Sequence, residues 1–230
     1  MRARFRKRIG ILGRNVKTPT LIAALKPSLA TLGYGLFLAI NAASVWGGVF
    51  PFLPMDFQTP EVLRHFFVAQ SLTFTGAFIA SALGTYLFPM ETRRFMVKAV
   101  ASLYISGWAL LIGAIYLDNL ALPLVTAGGA LLGVGSAGFY MLWQRLFASM
   151  EPHEGNTTLI AGTAWGSLFY FALHLIPVAV TAYLIPLVFL PLFGLAIVLT
   201  SRTIRLDQPM FEDVPREHPR TYRHVVSLMW

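Results

Sequence analysis

Six residues, Gly133-Val134-Gly135-Ser136-Ala137-Gly138, spell a G-x-G-x-x-G run, the spacing with which a strand-to-helix turn cradles a dinucleotide pyrophosphate. That chemistry needs a strand before the glycines and a helix opening at them. Here the letters lie inside an apolar stretch, 120–147, long enough to cross a bilayer, and no Lys-Ser or Lys-Thr follows as a P-loop requires. His153-Glu154, in the segment EPHEGN, lacks the second histidine four residues on that a zinc helix uses. The segment reads as a short loop of solvated residues. The chain has no cysteine, so disulfides and thiolate metal sites are excluded. Neither a serine–histidine nor a paired-carboxylate arrangement is evident. The expectation is a non-enzyme with no metal and no cofactor.

Chemistry of another kind remains, because a polar side chain inside a bilayer is costly to leave unpaired and marks a candidate site. Asn41 lies deepest, near the middle of the first apolar stretch, while Gln70 and His174 lie toward the outer ends of the second and fifth. Each has a plain alternative: an interhelical hydrogen bond for Asn41, and interfacial water for Gln70 and His174. A lone imidazole at His174 would also titrate near neutrality. Trp165 is the aromatic ligand-binding candidate, although it and Trp46, Trp108 and Trp143 are read first as interface anchors or packing.

Small residues form the second pattern. Gly129, Gly133 and Ala137 recur every four residues, and Gly162 and Gly166 repeat the device thirty residues on. Lipid tails provide no hydrophobic drive between helices, so close backbone approach at small residues carries their association. The stripes are expected to pack helices, against each other or against other segments. A sliding or rocking interface is the functional form of the same feature.

These residues sit on a chain that is 56% hydrophobic and 12% charged, about half the charge of an ordinary soluble domain, which is about 25%. A span needs about 20 predominantly apolar residues. Six stretches qualify: 28–53, 65–89, 99–117, 120–147, 159–176 and 182–200. Connections are short, which predicts antiparallel neighbours. Pro186 and Pro191 are expected to bend the sixth stretch. The leader carries Arg2, Arg4, Arg6, Lys7, Arg8, Arg14, Lys17 and Lys26, and with both termini inside every one of the eighteen basic residues except Arg64 lies on the cytoplasmic side. The net charge of +8 is thus explained by an anionic leaflet rather than by nucleic acid. Phe5, Ile9, Leu12 and Val16 give the leader an apolar seam suited to the interface. The first stretch continues without a small-x-small cleavage site and reads as an anchor, not a signal peptide.

The organisation is a basic cytoplasmic leader (1–27), a six-helix transmembrane bundle (28–200) and a cytoplasmic tail (201–230), the whole being an all-α polytopic protein of the cell membrane. The tail is punctuated by Pro209, Pro215 and Pro219 and turns apolar again at TYRHVVSLMW. It reads either as the start of a second half or as a tail resting on the bilayer.

Six antiparallel spans with inside termini resemble one half of a major facilitator superfamily bundle. The connection GTYLFPMETRR (84–94) resembles that superfamily's loop of glycine, acid and paired basics, with the acid displaced to Glu91 and the second glycine absent. The segments GFYMLWQRLFAS (138–149) and PMFEDVPREHPRTYRHVV (209–226) are similar to membrane-bound LuxR-type regulators, in which a facilitator-like bundle is fused to a helix-turn-helix. That resemblance implies the membrane sensor half of a transcriptional regulator. It would bind a small-molecule ligand and pair with a second six-helix half or a second copy, with no direct nucleic-acid binding by this chain. The alternative is a half-size facilitator-like transporter acting as a dimer.

Overall fold

Hydroxyls and prolines punctuate the helices. In the computed structural model, which describes residues 27–45, 54–87 and 94–203, Ser28 caps α1 (Leu29–Ile40), its Oγ accepting from the Thr31 N–H at 3.0 Å. Thr59 does the same for α2 (Pro60–Leu87), accepting from Val62 N–H at 3.3 Å. Pro60 opens that helix where a missing N–H costs nothing, and Glu61 meets the positive end of the helix dipole. α3 (Arg94–Tyr116) and α4 (Ala121–Ser149) are joined by a 3-10 turn, Asp118–Leu120. α5 (Pro152–His174) again starts on proline and carries Glu154 in its first turn.

This start corrects the expected loop. His153 and Glu154 are exposed residues of the first turn of α5, and the α4–α5 connection shrinks to Met150-Glu151. The run PHEG combines a proline at the helix start with an acid near its N-terminus, which favours helix over loop.

The sixth segment changes its winding where its prolines stand. α6 (Val178–Leu184) passes into a π turn, Ile185–Phe189, and then into α7 (Leu190–Thr203). Pro186 falls inside the π turn and Pro191 at the second position of α7. A wider turn relieves the clash of a proline ring with the preceding turn of helix. α1 ends in a second π turn, Asn41–Val45.

Among the described residues every regular element is helical, and four helices are long and apolar enough to cross a membrane: Pro60–Gly84, Phe95–Tyr116, Asp118–Ser149 and Ile185–Thr203. The apolar helix Leu29–Ala43 is shorter, and α5 is not among the four, its composition diluted by Asn156, Thr157, Thr158, Thr163, Ser167 and His174. Among the described residues the fold is all-helical, and its long apolar helices are those of a membrane protein. Its outward faces present Leu72, Ile79, Leu83, Phe171 and Leu187, side chains that suit lipid. Threonines such as Thr73, Thr163 and Thr203 return their hydroxyls to the carbonyl four residues back, which satisfies them without water. The leader seam, Trp46, most of the 84–94 signature and the tail lie outside the described residues.

α4 packs on α2 and α3, and α1 packs on α5 and α7. With α6 and α7 taken as one segment, exchanging the first three segments for the last three turns the α4–α2 and α4–α3 pairs into α1–α5 and α1–α7. The packing pattern maps onto itself.

Candidate functional site

The most deeply buried polar cluster forms where α1 gives way to its π turn. The Asn41 amide is fully buried. Its Nδ2 donates to the Phe37 carbonyl at 2.8 Å, and its Oδ1 accepts from the Ser136 hydroxyl at 2.9 Å and the Tyr104 hydroxyl at 3.2 Å. Reversing the amide would set oxygen against the Phe37 carbonyl and the NH2 against two hydroxyls, so the hydrogen-bond pattern itself selects the orientation. Ser136 on α4 and Tyr104 on α3 are buried with it. Gly135 lets the Tyr104 backbone come close, because a Cβ there would stand 3.0 Å from Tyr104 Cα. The Tyr104 ring meets Phe139 edge-on with centroids 5.4 Å apart. Three helices are thereby tied at one neutral, directional centre.

Asn41 is thus an interhelical hydrogen-bonding residue. Its partners Ser136 and Tyr104 were not among the residues singled out from sequence, although Ser136 lies inside the glycine run itself. Gln70 is buried on α2, with Ser71 Oγ 3.4 Å from its Oε1, and its carbonyl faces Gly133 of α4. His174 is exposed, with Nδ1 2.9 Å from Tyr170 O on its own helix and the two rings 4.3 Å apart. Trp165 is half-buried, its Cβ beside Gly35 of α1 and its ring 5.7 Å from that of Phe169. The four candidates therefore do not converge. Asn41 and Gln70 face inward on different helix pairs, and His174 looks out.

The glycine stripes pack against other helices, not against each other. Gly129 and Gly133 receive α2: a Cβ at Gly129 would lie 2.8 Å from the Phe66 carbonyl, and one at Gly133 would overlap Thr73 Oγ1 and the Gln70 carbonyl. Ala137, next in the row, is fully buried. Gly162 and Gly166 receive α1, where a Cβ on Gly35 would stand 3.0 Å from Gly162 O and Gly166 N. The G-x-G-x-x-G letters accordingly lie in mid-helix, with Gly133, Gly135 and Gly138 turned to α2 and α3. That leaves no room for a phosphate.

Between these pairs stands an aromatic cluster. Trp143 is buried, stacked on Phe147 at 5.7 Å and set against Tyr34 and Phe193. It is a core wedge, not an interface anchor, because Gly33 leaves its ring a seat: a Cβ there would meet Trp143 Cη2 at 3.0 Å. Its buried Nε1 has no hydrogen-bond partner among the described residues, a desolvation cost of about 1–3 kcal/mol. Trp108 is also buried in the core.

The described residues hold no group of three or more His, Cys, Asp or Glu placed to bind a metal. His65 Nδ1 lies 3.4 Å from Thr126 Oγ1, but that hydroxyl donates to Leu122 O at 2.8 Å, so its proton is directed away from the imidazole. The arrangement ties α1, α3 and α4 together at one buried point. Comparison with protein-family models, with characterised proteins and with solved structures finds no match.

Proposed function

We propose that this chain is a six-span bundle with both termini in the cytoplasm, acting as the membrane sensor half of a LuxR-type regulator. It binds a small neutral ligand, with the DNA-binding domain supplied by sequence or a partner outside this chain. The observation that carries the reading is the Asn41 centre. The buried polar side chains Thr31, Asn41, Gln70, Ser136, Thr181 and Thr200 are neutral, and Asn41 ties three helices through bonds that a shift of one helix would break. Such a centre reports conformation. Ion-coupled pumping generally relies on ionisable groups at membrane depth.

A second reading, a facilitator-like transporter half working as a dimer, is favoured by the exchange pattern of the packing. Inverted three-helix repeats are a device of secondary transporters. In that reading the second copy supplies the missing half of the pathway.

Two experiments test these readings. A reporter active only outside the cytoplasm, fused at Asn119, gives signal if the topology holds, and silence there overturns it. For function, the chain in proteoliposomes is challenged with labelled neutral sugars. Binding without uptake supports the sensor, and uptake supports the transporter. Neither binding nor uptake removes neutral sugars as the ligand class for both.

A further inference from the structure

The helices fall into two groups held together by different means. Within the group α2, α3 and α4, and between α1 and α5 of the group α1, α5 and α7, contacts run backbone to backbone over glycine: Gly107 against Gly128, Gly129 against Phe66, Gly35 against Gly162 and Gly166. In the second group α7 joins α1 through Ala196 Cβ beside Gly33 and the stacked rings of Phe37 and Phe193. Across the seam between the groups, contact is made by side chains. Tyr34 and Phe37 of α1 and Phe193 of α7 meet Phe139, Trp143 and Phe147 of α4. Gly155 of α5, 2.7 Å from the Phe147 carbonyl by its would-be Cβ, pins the seam at the tight α4–α5 turn. Away from that turn, hydrogen bonds from Ser136 and Tyr104 to Asn41 cross the seam at its deepest point, and the Tyr34 and Tyr140 hydroxyls pair across it as well.

Asn41 is also the residue at which α1 changes its winding. Its backbone N–H is shared between the Leu38 and Phe37 carbonyls, and its side-chain Nδ2 donates to the same Phe37 carbonyl. The amide is therefore fixed by the α-to-π junction on one side and fixes α3 and α4 on the other. A change of winding at Asn41–Val45 would move Oδ1 away from both hydroxyls together. π turns within helices recur at functional sites. The seam also holds the Trp143 Nε1, buried without a hydrogen-bond partner among the described residues.

We infer that the seam is the moving interface of this protein, and that Asn41 is its latch, coupling the winding of α1 to the docking of the two three-helix groups. The latch stands whether the bundle senses or transports.

The full chain has no cysteine, so spin labels can be placed at will. Tyr116→Cys with Phe171→Cys spans the seam, and Tyr116→Cys with Glu61→Cys lies within one group; all three positions are exposed. In lipid nanodiscs, both pairs should give a single distance population in the otherwise native chain. Asn41→Leu should add a longer-distance population to the cross-seam pair alone, and Ser136→Ala, which removes one of the two bonds, a smaller one. A cross-seam distribution unchanged in both variants overturns the latch, and so does equal splitting of the within-group pair. The variant Asn41→Leu/Tyr104→Phe/Ser136→Ala removes the orphaned hydroxyls. If the hydrogen bonds hold the seam, it stays split. A return to one population would trace the effect to buried unpaired hydroxyls and refute the latch.

Discussion

Gly133→Ala adds one methyl group, and the structure says where it must go. The new Cβ falls on Thr73 Oγ1 and on the Gln70 carbonyl, with Phe74 N 3.0 Å away. Two of these three atoms are backbone, so no rotamer change relieves the overlap and α2 must move off α4 by roughly 1 Å to regain ordinary van der Waals separation. Overpacking of this kind costs about 3 kcal/mol at the upper end of its usual range. Alanine returns about 1 kcal/mol as the better helix former. The net expectation is a loss of about 2 kcal/mol. Gly76→Ala, on the neighbouring helix α2, meets nothing within 4 Å and should gain about 1 kcal/mol. The two identical substitutions should thus differ by about 3 kcal/mol. Unfolding in mild micelles titrated with SDS, followed by circular dichroism, measures both. If the two variants agree within about 0.5 kcal/mol, the close approach of α2 to α4 and the packing role of the stripe are refuted.

The mirrored contact gives a second substitution. Gly166→Val should cost about 2 kcal/mol in the same titration, because a Cβ already stands 3.1 Å from Gly35 O and 3.2 Å from Leu38 Cβ before the branches are added; a neutral result would remove the α1–α5 contact. His174→Ala should leave stability within about 0.5 kcal/mol, since the ring is exposed and bonds only locally to Tyr170 O. A loss well above that would mean that His174 is covered by a partner.

Local features were legible in the sequence where local chemistry decides them. Four of the six long apolar stretches appear as helices long enough to cross a membrane, Pro186 and Pro191 fall where the sixth changes its winding, and the small-residue spacing of Gly129, Gly133 and Ala137 runs along one helix. Asn41 was legible as the deepest polar residue, and its interhelical role followed from the cost of leaving it unpaired. Its partners were not legible, because Tyr104 lies 63 residues away and Ser136 lies 95. Which hydroxyl meets an amide is set by how helices cross, not by spacing along one of them. For Trp143 the sequence leaves anchor and packing both open for the same reason. A tryptophan two residues before Arg145 has the pattern of an interface anchor, and only the seat opened by Gly33 on another helix draws it into the core. The start of α5 was missed because glutamate and histidine were weighed as solvated charges, when a helix N-terminus after proline accepts an acid readily.

The division between glycine and aromatic contacts has a mechanical consequence. Two helices touching backbone to backbone interlock along rows of atoms that cannot rotate, so they either stay in register or jump by a row. Rings such as Phe193 and Trp143 can turn about their side-chain torsions and keep contact through a small displacement of their helices. A bundle with the first kind of contact among α2, α3 and α4 and between α1 and α5, and the second kind between the groups, is stiff in those pairs and compliant at its seam. Rings that can turn to keep contact mark the register of that seam less sharply than a hydrogen bond, which weakens steeply as its angle departs from linear. A buried asparagine supplies the direction: its acceptor is satisfied at one alignment of α1 with α3 and α4 and orphaned at others, the same use to which a single buried asparagine is put in fixing helix register. The rings therefore set how far the seam can move, and Asn41 sets where it rests.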